Sequence, residues 1–85
     1  MVYLLKIDDK VKKDLREIDK KWQIKILQTL KSTLTNSPQQ GKRLAGILSK
    51  YHRLRVGDYR IIYQILEKEV VVEVIKIKHR SKIYK

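Results

Sequence analysis

An α+β domain is the fold this sequence predicts: an N-terminal strand and a helical hairpin packed on one face of a small twisted antiparallel sheet, with an open basic face opposite. Three observations carry it. Residues 51–66 alternate apolar and polar around Gly57-Asp58, the pattern of two strands joined by a tight turn. Residues 11–34 carry apolar side chains at helical spacing. Residues 70–78 are rich in valine and isoleucine and supply a third strand. Helices segregated to one face of an antiparallel sheet leave its other face to solvent. With 85 residues, the chain is one domain, 1–85.

Each element has its local reason. Val2 to Ile7 reads as a strand with Tyr3, Leu5 and Ile7 on one face. Asp8 or Asp9 offers an N-cap to a helix in which Val11, Leu15 and Ile18 form the apolar stripe. Asp19-Lys20-Lys21 is the joint to a second helix, Trp22 to Leu34, with Trp22, Ile26, Leu30 and Leu34 four apart and Leu27 widening the stripe. Trp22 reads as packing, because it starts that stripe. Pro38 disfavours helical geometry at Ser37 and ends the helix. Residues 39–50 read mostly as loop, with Gly41 and Gly46 at turns and Leu44 as an anchor.

The hairpin fixes its own register. Glycine first in a two-residue loop is the type II′ signature. Val56 then faces Tyr59, Arg55 faces Arg60, Leu54 faces Ile61, Arg53 faces Ile62 and Tyr51 faces Gln64. Leu54, Val56, Tyr59, Ile61, Tyr63 and Ile65 make the core face. Tyr51, Arg53, Arg55, Arg60, Ile62 and Gln64 make the other. If Glu67-Lys68 is also a two-residue turn, Val70, Val72 and Val74 join the core face. Ile75 then lies opposite Arg60, and Ile77 and His79 continue along the arginine face.

Composition narrows the chemistry. Lys and Arg number 21 against 9 acidic residues, a formal net charge of +12. Nucleic acid is the first partner class this suggests, an anionic membrane the second and an acidic protein the third. Without cysteine there is no disulfide, thiolate nucleophile or thiolate metal site, and two histidines alone make no usual zinc site. No metal or cofactor is expected. No apolar run approaches the roughly 20 residues of a membrane span, and the N-terminus does not read as a signal peptide, so a cytoplasmic location is expected.

Arg55 directly opposite Arg60 is destabilising unless an anion bridges the pair. Three arginines on a sheet face often only solvate it, but a hairpin forces these together in a basic chain. Guanidinium grips phosphate bidentately and stays charged. RNA brings its own nucleophile, the 2′-hydroxyl. Cations, a proton shuttle and in-line geometry therefore suffice to cleave it. His79 is a candidate shuttle, since an unperturbed imidazole titrates near 6.5. Arg80 and Tyr84 lie just past the last strand, Tyr84 suited to stacking on a base. Lys42, Arg43, Lys78 and Lys82 extend the cationic surface. Glu73 reads as a salt-bridge partner for one arginine. These features alone do not separate a nuclease from a passive RNA binder.

Three segments together resemble the RelE/ParE superfamily of toxins: Arg53-Leu-Arg-Val-Gly-Asp-Tyr-Arg-Ile-Ile-Tyr63, Gly41-Lys-Arg-Leu44 with Gly46, and His79-Arg80 followed by Tyr84. The closing residues 75–85 are especially similar to archaeal RelE-type toxins. The resemblance implies the toxin of a type II toxin–antitoxin pair, an mRNA interferase cleaving message in the ribosomal A site without a metal. It implies Arg60 at the scissile phosphate, Arg80 as a second cleavage arginine and Tyr84 stacking on substrate. Arg53 and Arg55 fall where bacterial members use lysines, which leaves the general base open. Arg60, Arg80, Tyr84, Arg53 and His79 are thus the catalytic candidates. Arg55, Lys42, Arg43, Lys78 and Lys82 are the RNA-binding ones. The implied partner is a RelB-like antitoxin, with a monomeric toxin stored as a heteromeric complex and no membrane association. The alternatives are a ParE-like gyrase inhibitor and a non-catalytic RNA-binding relative.

Overall fold

Five strands and two helices appear in the computed structural model, which describes residues 2–79. The strands are β1 (Leu4–Ile7), β2 (Lys42–Arg43), β3 (Tyr51–Val56), β4 (Tyr59–Leu66) and β5 (Val71–His79). The helices are α1 (Asp9–Glu17) and α2 (Lys20–Thr29), the latter continuing into a π-helical segment, Leu30–Leu34. The α+β class holds, and the helices pack on one sheet face. The sheet is mixed rather than wholly antiparallel. Its order is β1-β5-β4-β3-β2, and β1 runs parallel to β5, Leu5 opposite Val72 and Ile7 opposite Val74. A parallel neighbour needs a long crossover: the helices carry the chain from β1 to β2 at the opposite edge, and β3, β4 and β5 return across the sheet to β1.

The helices follow their stripes. α1 starts at Asp8, whose carbonyl receives the Val11 and Lys12 N–H groups at 3.0 Å, though its side chain makes no cap bond. Asp9 in the first turn and Arg16 in the last complement the helix dipole. The joint is Ile18-Asp19, one residue earlier than expected, because Asp19 takes the N-cap position of α2. Ile26, Leu30 and Leu34 are fully buried. Three residues spaced four apart drift around a 3.6-residue turn, and the wider π turn reduces that drift. Trp22 is half-buried and lies over the β3–β4 turn, its ring 6.2 Å from that of Tyr59. A Cβ on Gly57 would overlap the Trp22 ring, so glycine serves close packing there as well as the positive φ of 59°.

The hairpin register is the expected one at every pair from Val56 with Tyr59 to Tyr51 with Gln64. The β4–β5 register is not. Residues 67–70 make a four-residue loop, with Leu66 paired to Val71. Val70 sits in that loop at φ 55°, so it does not join Val72 and Val74 on the core face. The ladder then shifts at Ile62/Tyr63: Tyr63 pairs with Val74 but Ile62 pairs with Lys76, leaving Ile75 extra. A bulge of one residue reverses which face follows it. Ile77 is therefore buried in the core rather than on the arginine face. Ile75 does not oppose Arg60; Lys78 does.

The core between helices and sheet holds Val11, Leu15, Ile26, Leu30, Leu34, Ile61, Tyr63, Val72, Val74 and Ile77, with Tyr3, Leu5 and Ile7 packed against it. The loop before β3 is more ordered in its pairing than the sequence suggests. Lys42 pairs with Arg53, and the Leu44 N–H donates to the Tyr51 carbonyl at 3.0 Å. Gly41 is buried where a Cβ would overlap the Tyr63 hydroxyl, which donates to the Pro38 carbonyl at 2.6 Å. That contact ties the loop to the core and holds β2 at the sheet edge.

Candidate nucleic-acid interface

Residues directly paired across strands share a face. The pairings therefore build the open face as two cross-strand rows. The first is Lys42, Arg53, Ile62 and Lys76, from β2 to β5. The second is Arg55, Arg60 and Lys78. Six cations thus lie on one face, about 5 Å between Cβ atoms of neighbours within a row. The Arg55 Nε donates to the Gly57 carbonyl at 3.1 Å, which turns that guanidinium towards the hairpin tip beside Arg60. Among the described residues no carboxylate pairs with Arg53, Arg55 or Arg60. Glu73 sits on this face one row further on, opposite Gln64, but its partner is Lys6, at 3.9 Å from Nζ to Oε2. The expected Glu73–arginine bridge is replaced because parallel β1 brings Lys6 alongside.

The bulge redistributes the expected site. His79 pairs with Tyr59 on the helix side, its ring 4.8 Å from the Tyr59 ring in an edge contact. It lines a cleft of about 540 Å³ with Asp14, Glu17, Tyr59 and Ile77, and Lys76 and Lys78 border the same cleft from β5. Its expected place on the arginine face is taken by Lys78, and that of Ile77 by Lys76. Lys76 was missing from the candidates. The signal was the doublet Val74-Ile75, two apolar residues in succession that break the alternation. Arg43 pairs with His52 and so is on the helix side, apart from Lys42. The structure thus brings together Lys42, Arg53, Arg55, Arg60 and Lys78. Arg80, Lys82 and Tyr84 lie outside the described residues.

His52, beyond the interface, stacks on Tyr63 at 5.6 Å, and its buried Nδ1 has no hydrogen-bond partner among the described residues. Burial, then the Arg43 charge, lowers its pKa below the usual 6.5, against a weaker opposing pull from Glu67. The unfolded chain therefore binds this proton first as pH falls. The stabilisation is complete above about pH 6.5 and is lost as pH drops towards the folded-state value. The melting temperature is expected to fall between neutral and mildly acidic pH, and His52→Gln to flatten that fall. An unchanged pH dependence in the variant would remove His52 from the account.

The arrangement suits a polyanion. Guanidinium groups at fixed spacing can hold phosphate oxygens and stabilise charge that builds on them. Neither histidine lies on this face, so the imidazole shuttle expected from the sequence has no support in the geometry.

Relatives of the chain agree with this architecture. A family model described as ParE toxin of type II toxin-antitoxin system, parDE, matches residues 5–84. The mRNA interferase toxin RelE of Escherichia coli (strain K12) is 29% identical over 87 residues, covering 99% of this chain and 92% of that protein. Toxin RelE of Mycobacterium tuberculosis (strain ATCC 25618 / H37Rv) is 34% identical over 74 residues, covering 86% of this chain and 76% of that protein. The archaeal RelE–RelB complex from Pyrococcus horikoshii OT3 contains a chain that superposes with a TM-score of 0.79 at 29% identity, covering 96% of this chain and 99% of that one.

Proposed function

Since the chain belongs to the RelE/ParE superfamily of toxins of type II toxin–antitoxin systems, we propose that it is an endoribonuclease that cleaves mRNA in the ribosomal A site and so halts translation. The observation that carries this reading is the clustering of Arg53, Arg55 and Arg60 on an open sheet face without a carboxylate partner among the described residues. The relatives named RelE and mRNA interferase support it.

In this reading the 2′-hydroxyl of the nucleotide attacks its own 3′-phosphate. The P–O5′ bond breaks, leaving a 2′,3′-cyclic phosphate and a 5′-hydroxyl. Arg60 sits at the centre of the second row and takes the charge developing on the phosphate oxygens. Arg53 and Arg55 hold the flanking backbone. Arg80 and Tyr84 keep the roles the resemblance gives them, a second phosphate cation and a base-stacking ring. With charge supplied by guanidinium groups, the reading requires no metal. His79 is not assigned the proton, since its ring faces Tyr59.

The partner follows from the same face. Solved complexes of RelE-type chains with RelB support a cognate antitoxin. A segment carrying carboxylates and aliphatic side chains fits the cation rows and Ile62 between them, and such a segment orders on docking. The toxin alone is monomeric in this reading, and the cytoplasmic complex is the stored form.

The matching family model bears the ParE name, which favours a second reading, inhibition of DNA gyrase. Purified ribosomes programmed with a defined message, beside a gyrase supercoiling assay, separate the two. Message cleavage with supercoiling intact is expected. Lost supercoiling without cleavage would establish the second reading, and neither effect would leave a binding protein.

A further inference from the structure

The bulge at Ile75 does more than bury Ile77: it turns Lys76 and Lys78 onto the open face beside Ile62 and Arg60. Both lysines are exposed, and neither has an ion-pair partner among the described residues. Lys78 completes a row of three like charges with Arg55 and Arg60, a standing repulsion within the sheet. Lys76 closes the other row at the end opposite Lys42. We infer that Lys76 and Lys78 are substrate-binding residues, and that the two rows carry one RNA strand across the sheet from β2 to β5 rather than along any one β-strand.

The shape of the lattice argues the direction. Three interstrand steps of about 4.8 Å give a long axis of roughly 14 Å from Lys42 to Lys76. The rows are two residues apart along each strand, only about 7 Å. Arg55, Arg60 and Lys78 stand on successive strands along this axis, and Lys42, Arg53 and Lys76 flank Ile62 in the neighbouring row, a line of positive charge that matches an extended phosphate backbone. Ile62 is the one apolar member of its row and offers a surface for a base or ribose between Arg53 and Lys76. Both lysines sit on flexible aliphatic stems that reach past the sheet plane, which suits point-charge contacts to phosphate. An acidic protein segment would also meet these charges, but it has no reason to follow a regular row.

This inference rests on the RNA reading above, and the test separates the two. The probe is a single-stranded oligonucleotide with 2′-deoxy sugars, so that binding is read without cleavage. Its affinity is measured between about 50 and 200 mM salt. Lys76→Ala and Lys78→Ala should each reduce the slope of log affinity against log salt by about 0.7, and weaken binding roughly five-fold at 0.1 M salt. Lys76→Arg should restore the slope. Lys13→Ala, on the exposed side of α1, should change nothing. On an oligonucleotide long enough to cross the sheet, the losses from Lys42→Ala and Lys76→Ala should add. On a dinucleotide, too short to reach both, the second substitution should have no further effect. A wild-type protein that binds no oligonucleotide would remove the RNA reading and this inference with it. Steep, salt-sensitive wild-type binding with slopes unchanged in Lys76→Ala and Lys78→Ala would overturn this inference alone.

Discussion

Arg60→Ala is expected to lower message cleavage by roughly two orders of magnitude or more, the scale for removing one donor to developing charge. The melting temperature should stay at or slightly above the wild-type value. Arg60 lies between Arg55 and Lys78 in a row of three cations and takes no part in the core. Removing the central charge relieves two like-charge contacts and opens no cavity. Rate and stability should therefore move independently. Arg60→Lys should recover part of the rate, since it keeps the charge and loses the planar fork. Cleavage by Arg60→Ala at the wild-type rate, in single-turnover assays on programmed ribosomes, would disprove the assignment.

Val72→Asp should do the reverse and abolish the fold. Val72 is fully buried near the start of β5, paired with Leu5 of β1 on one side and Ile65 of β4 on the other. A carboxylate there has no cation within the core to pair with, because the buried set contains no charged side chain among the described residues. Burying it unpaired costs several kcal/mol. A domain of this size has only about 5–10 kcal/mol in total. Far-ultraviolet circular dichroism should show an unfolded chain. Val72→Ala, which leaves only a cavity, should fold with a lowered melting temperature. A cooperatively folded Val72→Asp protein would mean that Val72 does not lie in a closed β1–β5–β4 core.

Local chemistry made the hairpin legible. Gly57-Asp58 permits only a two-residue loop, and that loop dictates every β3–β4 pair. The rows of arginines were legible for the same reason. The helices were legible from Val11, Leu15, Ile26, Leu30 and Leu34, whose spacing survives even where α2 widens into a π turn. What the sequence did not reveal was non-local or a matter of one residue. Nothing in Leu4–Ile7 says that it will lie beside the last strand instead of remaining with the helices. Two residues, Lys42 and Arg43, are too few to show a strand period. Ile75 is a single extra residue, yet it exchanges Ile77 and His79 for Lys76 and Lys78 on the site. The parity of a strand is set cumulatively, so one bulge corrupts every assignment after it. Glu73 was misassigned because its partner, Lys6, comes from the far end of the chain.

On this reading the open face holds RNA for attack by the substrate's own 2′-hydroxyl. The direct measurement is end-mapped cleavage of a message on programmed ribosomes, with a single 2′-deoxy sugar placed at the nucleotide 5′ of the cut. The all-ribose message is expected to be cut to a 2′,3′-cyclic phosphate and a 5′-hydroxyl, and the single deoxy substitution to abolish the cut while the message stays bound. Cleavage of the substituted message at the same position and rate would contradict this reading.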